Sequence, residues 1–350
     1  MSKIWIDYMA PCDVFFFDPV IRELKSSKLY SFSCTSRSHA ETRALLREAR
    51  IEAREIGGHT VDTRIAQITS FVGRNLGLIL KVPKYDVSIS LANIYAILVS
   101  KARGCKCISI IDNDLIEYER SPMEAIAARI HAKADWIVAP SAYPIEMTIA
   151  KGARKEGIHI FNGYKEDIYV ADYKPDLDFR KRCPFDRFVV VRPEALYSTY
   201  VHAKKSIVPE VVSLLVGRGM NVIYLPRQPT DLSFIRDVVD DNRIWIPPGP
   251  LRGLDLVYYS SAVLTGSGTF AREAACMGRT AVSFFPDQVL AVDKELVLEG
   301  RMLHSRNPSE IVDHVSERYE NPTMASAERS VAVKNQFISI IHSILERVES

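Results

Sequence analysis

Apolar residues along this chain follow two alternating periods. Short runs rich in β-branched residues predict buried strands over Lys3–Asp7, Leu29–Thr35, Val87–Ser90, Cys107–Ile111 and Trp136–Ala139, because a strand covered on both faces is apolar throughout. Between them apolar positions recur at helical spacing, as at 14, 17, 20, 21 and 24 within Asp13–Lys25, and helices are predicted over Ser38–Arg50, Ile94–Arg103 and Pro122–Ala132. Residues Gly163–Arg187 carry aromatics, prolines and charges without a period, which suits a connection between domains. The rhythm then resumes. Strands are predicted at Phe188–Val191, Asn221–Leu225, Ile244–Ile246, Ala262–Thr265 and Thr280–Phe284, with helices at Lys204–Arg218, Asp231–Asp240, Gly253–Ser260, from about Thr269, and at Ala325–Glu349.

This βαβα order predicts an α/β chain of two doubly wound, parallel-sheet, Rossmann-like domains facing a cleft. The expected division is 1–170, 171–325, and a C-terminal helix 326–350 crossing back to the first domain. A length of 350 residues agrees, since single cores stop growing at roughly 250–300.

Composition narrows the partners. The chain has 45 basic and 43 acidic residues, a net charge of +2, so it lacks the broad basic footprint of a nucleic-acid binder. Small anions remain suitable ligands. Neither a secretory signal nor an uncharged 18-residue apolar stretch occurs, which predicts a cytoplasmic protein without a transmembrane segment and leaves room for transient membrane contact. The six cysteines are scattered; Cys105 and Cys107 are expected on one face of a strand, as core. The eight histidines show no metal-binding spacing, and His131 is expected to pack on a helix surface. No metal and no cofactor are expected.

One turn stands out. In Val263-Leu-Thr-Gly-Ser-Gly-Thr-Phe-Ala-Arg-Glu-Ala-Ala275 a strand runs through two glycines into a helix. Such a turn aims free backbone N–H groups and the positive end of a helix at an anion. Gly266 and Gly268 would let the backbone approach a phosphate, Ser267 and Thr269 would add hydroxyl donors, and Glu273 could take the paired hydroxyls of a ribose. The plainer reading is a tight turn with Thr269 as N-cap. Gly266-x-Gly268-x-x-Ala271 also meets the loose dinucleotide fingerprint, with Asp287 about 20 residues on, but it falls in the last quarter of the chain.

The segment from Thr265 to Val282 resembles the Thr-Asp-Ser-Gly-Gly-x-Gln-Glu-Glu-Ala stretch of UDP-N-acetylglucosamine 2-epimerases, which have the GT-B glycosyltransferase architecture. Ser267, Gly268 and Glu273 match; Gly266 and Thr269 depart. The resemblance implies phosphate binding by Ser267 and Gly268 and ribose binding by Glu273. Further stretches, Ile4-Trp-Ile-Asp, Phe16-Phe-Asp-Pro-Val-Ile-Arg-Glu-Leu, Ile110-Ile-Asp-Asn-Asp, Asn162-Gly-Tyr-Lys-Glu and Val191-Arg-Pro-Glu-Ala, resemble the domain of unknown function 354 family, a group of GT-B relatives. That implies the fold; the reaction has to be argued from the site.

By similarity of spacing, Asp112 and Glu124 stand at two carboxylate positions of the epimerases. Asn93 and Val191 stand where those enzymes have an Asp and a His, and neither moves a proton. Epimerisation is therefore disfavoured against transfer. Arg192 could neutralise a leaving diphosphate without metal, with Glu194 beside it as a substrate contact, or the two form a loop ion pair. Arg227, after the strand Asn221–Leu225, is a further candidate for the nucleotide. Asp112, Asp114, Glu117 and Glu119 could alternatively gather Mg²⁺ or Mn²⁺. Asp13 is expected to cap a helix. The expected function is a metal-independent GT-B-type glycosyltransferase using a UDP-linked nucleotide sugar and an unknown acceptor. The alternatives are a nucleotide-sugar 2-epimerase-like enzyme and a non-catalytic nucleotide-sugar-binding protein.

Overall fold

The computed structural model describes residues 2–38, 40–58, 64–119, 121–197, 203–237 and 242–349. The chain divides into two compact units, Met1–Tyr169 with Ala332–Ser350, and Val170–Val331.

Seven parallel strands form the sheet of the first unit: β1 (Ser2–Tyr8), β2 (Tyr30–Ser36), β3 (Ala53–Glu55), β4 (Val87–Leu91), β5 (Lys106–Ile110), β6 (Trp136–Pro140) and β7 (Ile158–Phe161), in the order β3-β2-β1-β4-β5-β6-β7. The strands step outward in opposite directions from β1 and β4, so right-handed crossovers place helices on both faces. Alternation carries this into the side chains. Ile4, Ile6, Val87, Ile89, Ile108 and Ile110 pack with Phe16, Phe17 and Val20 of helix Pro11–Ser26, and with Phe337, Ile341 and Leu345 of helix Glu328–Glu349. Trp5, in contrast, packs with Leu78 and Val99.

The second unit has six parallel strands: β8 (Val189–Arg192), β9 (Val222–Tyr224), β10 (Ile244–Trp245), β11 (Ala262–Thr265), β12 (Thr280–Ser283) and β13 (Met302–His304), ordered β10-β9-β8-β11-β12-β13. Val189, Val191, Leu264 and Val282 pack with Val208, Val211 and Leu215 of helix Val208–Gly217 and Val312 and Val315 of helix Pro308–Tyr319. The order of the first sheet reverses between β1 and β4, and that of the second between β8 and β11. Ligands of such sheets bind outside the strand carboxyl ends at these reversals.

Several expectations need correcting. Gly163–Arg187 is not featureless: it holds helices Lys165–Val170 and Phe179–Arg182. Gly163 there admits Val333, whose Cγ1 lies 2.4 Å from where a Cβ would stand. The helix expected over Asp231–Asp240 is a 3₁₀ helix, Pro229–Ile235, and residues 238–240 lie outside the described ones. Asp231 fixes its start by accepting from the backbone N–H of Arg227 and Gln228. Cys105 precedes β5 and directs its thiol to the Tyr85 carbonyl, whereas Cys107 is buried against Asp135. No helix among the described residues is long and apolar enough to cross a membrane.

Candidate functional site

In the second unit the reversal between β8 and β11 brings several sequence candidates to one sheet end. Arg192 and Thr265 are register partners, and Gly266 N donates to Arg192 O at 3.1 Å. A Cβ on Gly266 would lie 2.6 Å from Glu194 Cα. The first glycine therefore admits the chain's own backbone, and leaves no close approach for a ligand at that atom.

The helix starts at Gly268, with Ser267 and not Thr269 at its N-cap; Ser267 makes no side-chain cap hydrogen bond. Ala271 N takes the first intrahelical acceptor, Ser267 O, at 3.1 Å. The backbone N–H groups of Gly268, Thr269 and Phe270 have no earlier carbonyl in the helix to bond. Ser267, Gly268 and Thr269 are partly exposed, and the first turn carries no acidic residue. The end of this helix is thus positive and open to solvent.

A side-chain cation lies beside it. Arg192 sits over the ring of Phe270, third residue of the helix, at 6.0 Å, and among the described residues no carboxylate pairs with it. Arg272 is a different case. It is buried and bonded to Asp293 at 2.9 Å, and its Nη1 lies 2.8 Å from where a Gly268 Cβ would stand. Glu273, half-buried, follows on the same helix.

Glu194 is turned inward. Its carboxylate, 1% exposed, accepts from Ser206 Oγ at 2.5 Å, Ile207 N at 3.3 Å and Arg306 Nη1 at 3.0 Å. It ties the loop after β8 to the start of helix Val208–Gly217, a structural duty that its reading as a substrate contact does not require. Arg227 Nε donates to Pro193 O at 2.8 Å, which ties its side chain to the loop after β8.

The dinucleotide fingerprint lacks its context. It follows β11, fourth strand of its sheet, whereas that motif occupies the first strand-to-helix turn.

The first unit has its own cluster. Asp7, at the end of β1, is buried and accepts from Thr35 Oγ1 at 2.6 Å, Arg74 Nη2 at 2.8 Å and Asn93 Nδ2 at 2.9 Å. Asn93 Oδ1 in turn caps helix Ile94–Ala102 by accepting from Tyr95 N at 2.9 Å. Asp112, just beyond β5, meets Lys165 Nζ at 2.5 Å. Lys165 is 5% exposed and also 3.8 Å from Glu166. Asp13 is not the N-cap: it stands third in helix Pro11–Ser26, whose N-cap is Ala10, and its carboxylate accepts from Met9 N at 2.6 Å and Ala10 N at 3.0 Å. Burial outweighs these donors and the nearby Lys165 and pushes its carboxyl up to about 6. Burial likewise pushes the Cys12 thiol up to about 12, leaving it a poor nucleophile at neutral pH.

The proposed metal carboxylates diverge. Asp112 bonds Lys165, Asp114 accepts from Tyr118 at 2.5 Å, and Glu117 and Glu119 share Lys151. Among the described residues no three His, Cys, Asp or Glu side chains gather as a metal site. Glu124 is third in helix Pro122–His131, and its N–H donates to the Ser121 cap at 3.2 Å. Ser-x-x-Glu is the spacing of a capping box, which gives Glu124 a structural reason overlooked in the sequence. His131 is in the core, not on a surface: it is 1% exposed, 3.3 Å from Ser109 Oγ, and burial lowers it to about 4.

Two parallel-sheet α/β units with these strand orders make the chain a protein of GT-B-like fold. It belongs to the family described as Protein of unknown function (DUF354), which matches residues 2–348. An uncharacterized protein of Methanocaldococcus jannaschii is 24% identical over 328 residues, 90% of this chain and 91% of that protein. Among solved structures, the Methanocaldococcus jannaschii UDP-GlcNAc 2-epimerase in complex with UDP-GlcNAc and UDP superposes with a TM-score of 0.72 at 13% identity, over 97% of this chain and 99% of that one. The Neisseria meningitidis UDP-GlcNAc 2-epimerase bound to UDP-GlcNAc gives 0.73 at 15%, over 98% and 100%. The glycotransferase of kitacinnamycin gives 0.64 at 13%, over 99% of each chain. At such identities the likeness is one of fold.

Proposed function

We propose that this chain binds a nucleotide sugar, in the UDP form, through its second unit and transfers the sugar to an acceptor without a metal or cofactor. The carrying observation is the uncapped N-terminus of helix Gly268–Cys276 with Arg192 beside it, over Phe270. A diphosphate would accept from the backbone N–H groups and the Ser267 and Thr269 hydroxyls, and Glu273 would take the ribose hydroxyls. As the sugar carbon leaves the diphosphate and bonds the acceptor oxygen, the departing negative charge is balanced by Arg192 and the helix end. In the first unit Asp112, paired with Lys165, is the candidate general base for an acceptor hydroxyl. Glu124 and Glu194 serve structure in this reading, and Arg227 supports the loop after β8.

The epimerase-like alternative has less support. Asn93 is spent on Asp7 and on its helix cap, and Val191 is buried in the core. Neither supplies the proton relay that epimerisation needs.

Calorimetric titration with UDP, GDP, CDP and their sugar conjugates tests binding, and release of free UDP with candidate acceptors tests transfer. Expected are saturable UDP binding weakened by Glu273→Ala, and turnover abolished by Asp112→Asn with binding retained. Absence of any Glu273-dependent nucleotide binding overturns the reading. Binding without turnover identifies the non-catalytic alternative, and interconversion of the free nucleotide sugar identifies the epimerase.

A further inference from the structure

The first unit carries an open groove of about 810 Å³ beside β2 and β3, at the edge of its sheet. Helix Ala40–Glu48 and the residues after it form one wall. Arg43, Leu46, Arg47 and Arg50 line the groove, recurring at the spacing of three or four that sets side chains on one face. Leu46 is buried, and half-buried Phe32 and Ile51 add apolar surface.

The charge of the groove does not balance. Four arginines and two glutamates line it. Arg43 engages Glu55 through two bonds, Nε to Oε1 at 2.6 Å and Nη2 to Oε2 at 2.8 Å. Arg54 donates to Lys81 O at 3.2 Å, and among the described residues no carboxylate pairs with it, with Arg47 or with Arg50. Only Glu52 opposes these three, which leaves an excess of two positive charges.

Arg50 is also strained. Ile51 N donates to Leu46 O at 2.9 Å and Arg50 N to Arg47 O at 3.1 Å, the pair of bonds with which many helices end on a left-handed residue, most often glycine. Arg50 takes that place, with a φ of 54°. The negative end of the helix accounts for a cation in its last turn, and Arg47 supplies one. A glycine after it would close the helix with less strain. An arginine held where the fold favours glycine points to something that the side chain binds.

We propose that this groove binds a phosphate monoester, with the phosphate held by Arg47 and Arg50 and the organic part lying on Phe32 and Ile51. Such an ester carries close to two negative charges at neutral pH, which matches the excess. The guanidinium fork presents paired donors to phosphate oxygens. The volume falls within the roughly 300–1,000 Å³ of small-molecule sites. A soluble ester and the headgroup of phosphatidic acid share this chemistry. The groove belongs to the first unit, and its reading stands independently of the nucleotide-sugar reading of the second.

Calorimetric titration of the whole chain with phenyl phosphate, inorganic phosphate and phthalate tests it. Expected is saturable binding of phenyl phosphate, tighter than that of either other probe. Arg47→Gln and Arg50→Gly should each weaken it at least about tenfold. Arg50→Gly has a second signature: glycine relieves the left-handed strain, so the melting temperature should equal or exceed that of the wild type while binding falls. Should that variant fail to fold, Arg47→Gln, at an exposed position, decides alone. No saturable binding of phenyl phosphate at millimolar concentration overturns the proposal. So does binding that both variants keep, binding that Arg192→Ala alone abolishes, or tighter binding of phthalate, a dicarboxylate on the same ring. Cosedimentation with vesicles of phosphatidic acid and not of phosphatidylcholine, lost in Arg50→Gly, identifies the lipid headgroup as the source. Binding of phenyl phosphate without cosedimentation identifies a soluble ester, and in either case the site stands.

Discussion

The guanidinium of Arg192 lies 6.0 Å from the centre of the Phe270 ring, which fixes a strand-end cation beside the first turn of a helix. Planar stacking and fixed charge are both available only to arginine. Arg192→Ala should therefore lower UDP affinity about 10- to 100-fold, a loss of about 1.4 to 3 kcal/mol, and Arg192→Lys should recover part of it. Calorimetric titration measures this. Wild-type affinity in Arg192→Ala would remove the residue from the site.

The two glycines of the turn should respond differently to a methyl group. At Gly266 the methyl meets the Glu194 Cα at 2.6 Å, whereas at Gly268 it meets the end of the Arg272 side chain at 2.8 Å. Backbone cannot yield as a guanidinium can. Gly266→Ala should cost on the order of 2–4 kcal/mol in urea unfolding, and Gly268→Ala distinctly less. Equal losses would mean that Arg272 is held as rigidly by Asp293 as the backbone is by the sheet.

Glu194 allows stability and binding to be separated. Glu194→Ala strips Ser206, the Ile207 N–H and Arg306 of their shared acceptor, and should cost on the order of 2–4 kcal/mol. UDP affinity, measured well below the lowered melting temperature, should stay within about threefold. Loss of affinity without loss of stability would return Glu194 to the ligand.

His131 supplies a pH dependence. Burial lowers it from its ordinary 6.5 to about 4 in the folded chain, so between those values the unfolded chain binds the extra proton and the folded chain does not. Stability from this group is full above about 6.5 and is lost as pH falls toward 4, by a total on the order of 3 kcal/mol. His131→Gln should flatten the acid limb of stability against pH in denaturant titrations. An unchanged acid limb would assign the loss to other groups.

Much of this fold was legible in the apolar periodicity, because strands buried on both faces, such as Ala262–Thr265, are apolar over most of their length. Elements lacking that signature went unread. Ala53–Glu55 is a polar edge strand with two charges in three residues, and helix Arg64–Lys81 combines two glycines with an apolar outer ridge that blurs its amphipathic pattern. Helix Pro308–Tyr319 had a readable start, Asn307 as cap followed by proline. At the site, the glycine turn and Arg192 were visible because a local motif encodes them. Lys165, in the stretch Asn162-Gly-Tyr-Lys-Glu, has no role legible in the sequence, since its partnership with Asp112 depends on a sheet that sets the ends of β5 and β7 on either side of β6. The partners of Glu194 carry no local signal for the same reason: Ser206 and Arg306 are 12 and 112 residues away.

The core of the first unit contains Phe16 edge-on to Phe337, their ring centres 5.5 Å apart. The whole of the second unit is therefore synthesised before Phe337, which covers Phe16 and Phe17. The earlier unit in sequence cannot close its core until its last helix arrives, and carries a bare apolar face through the synthesis of the later one.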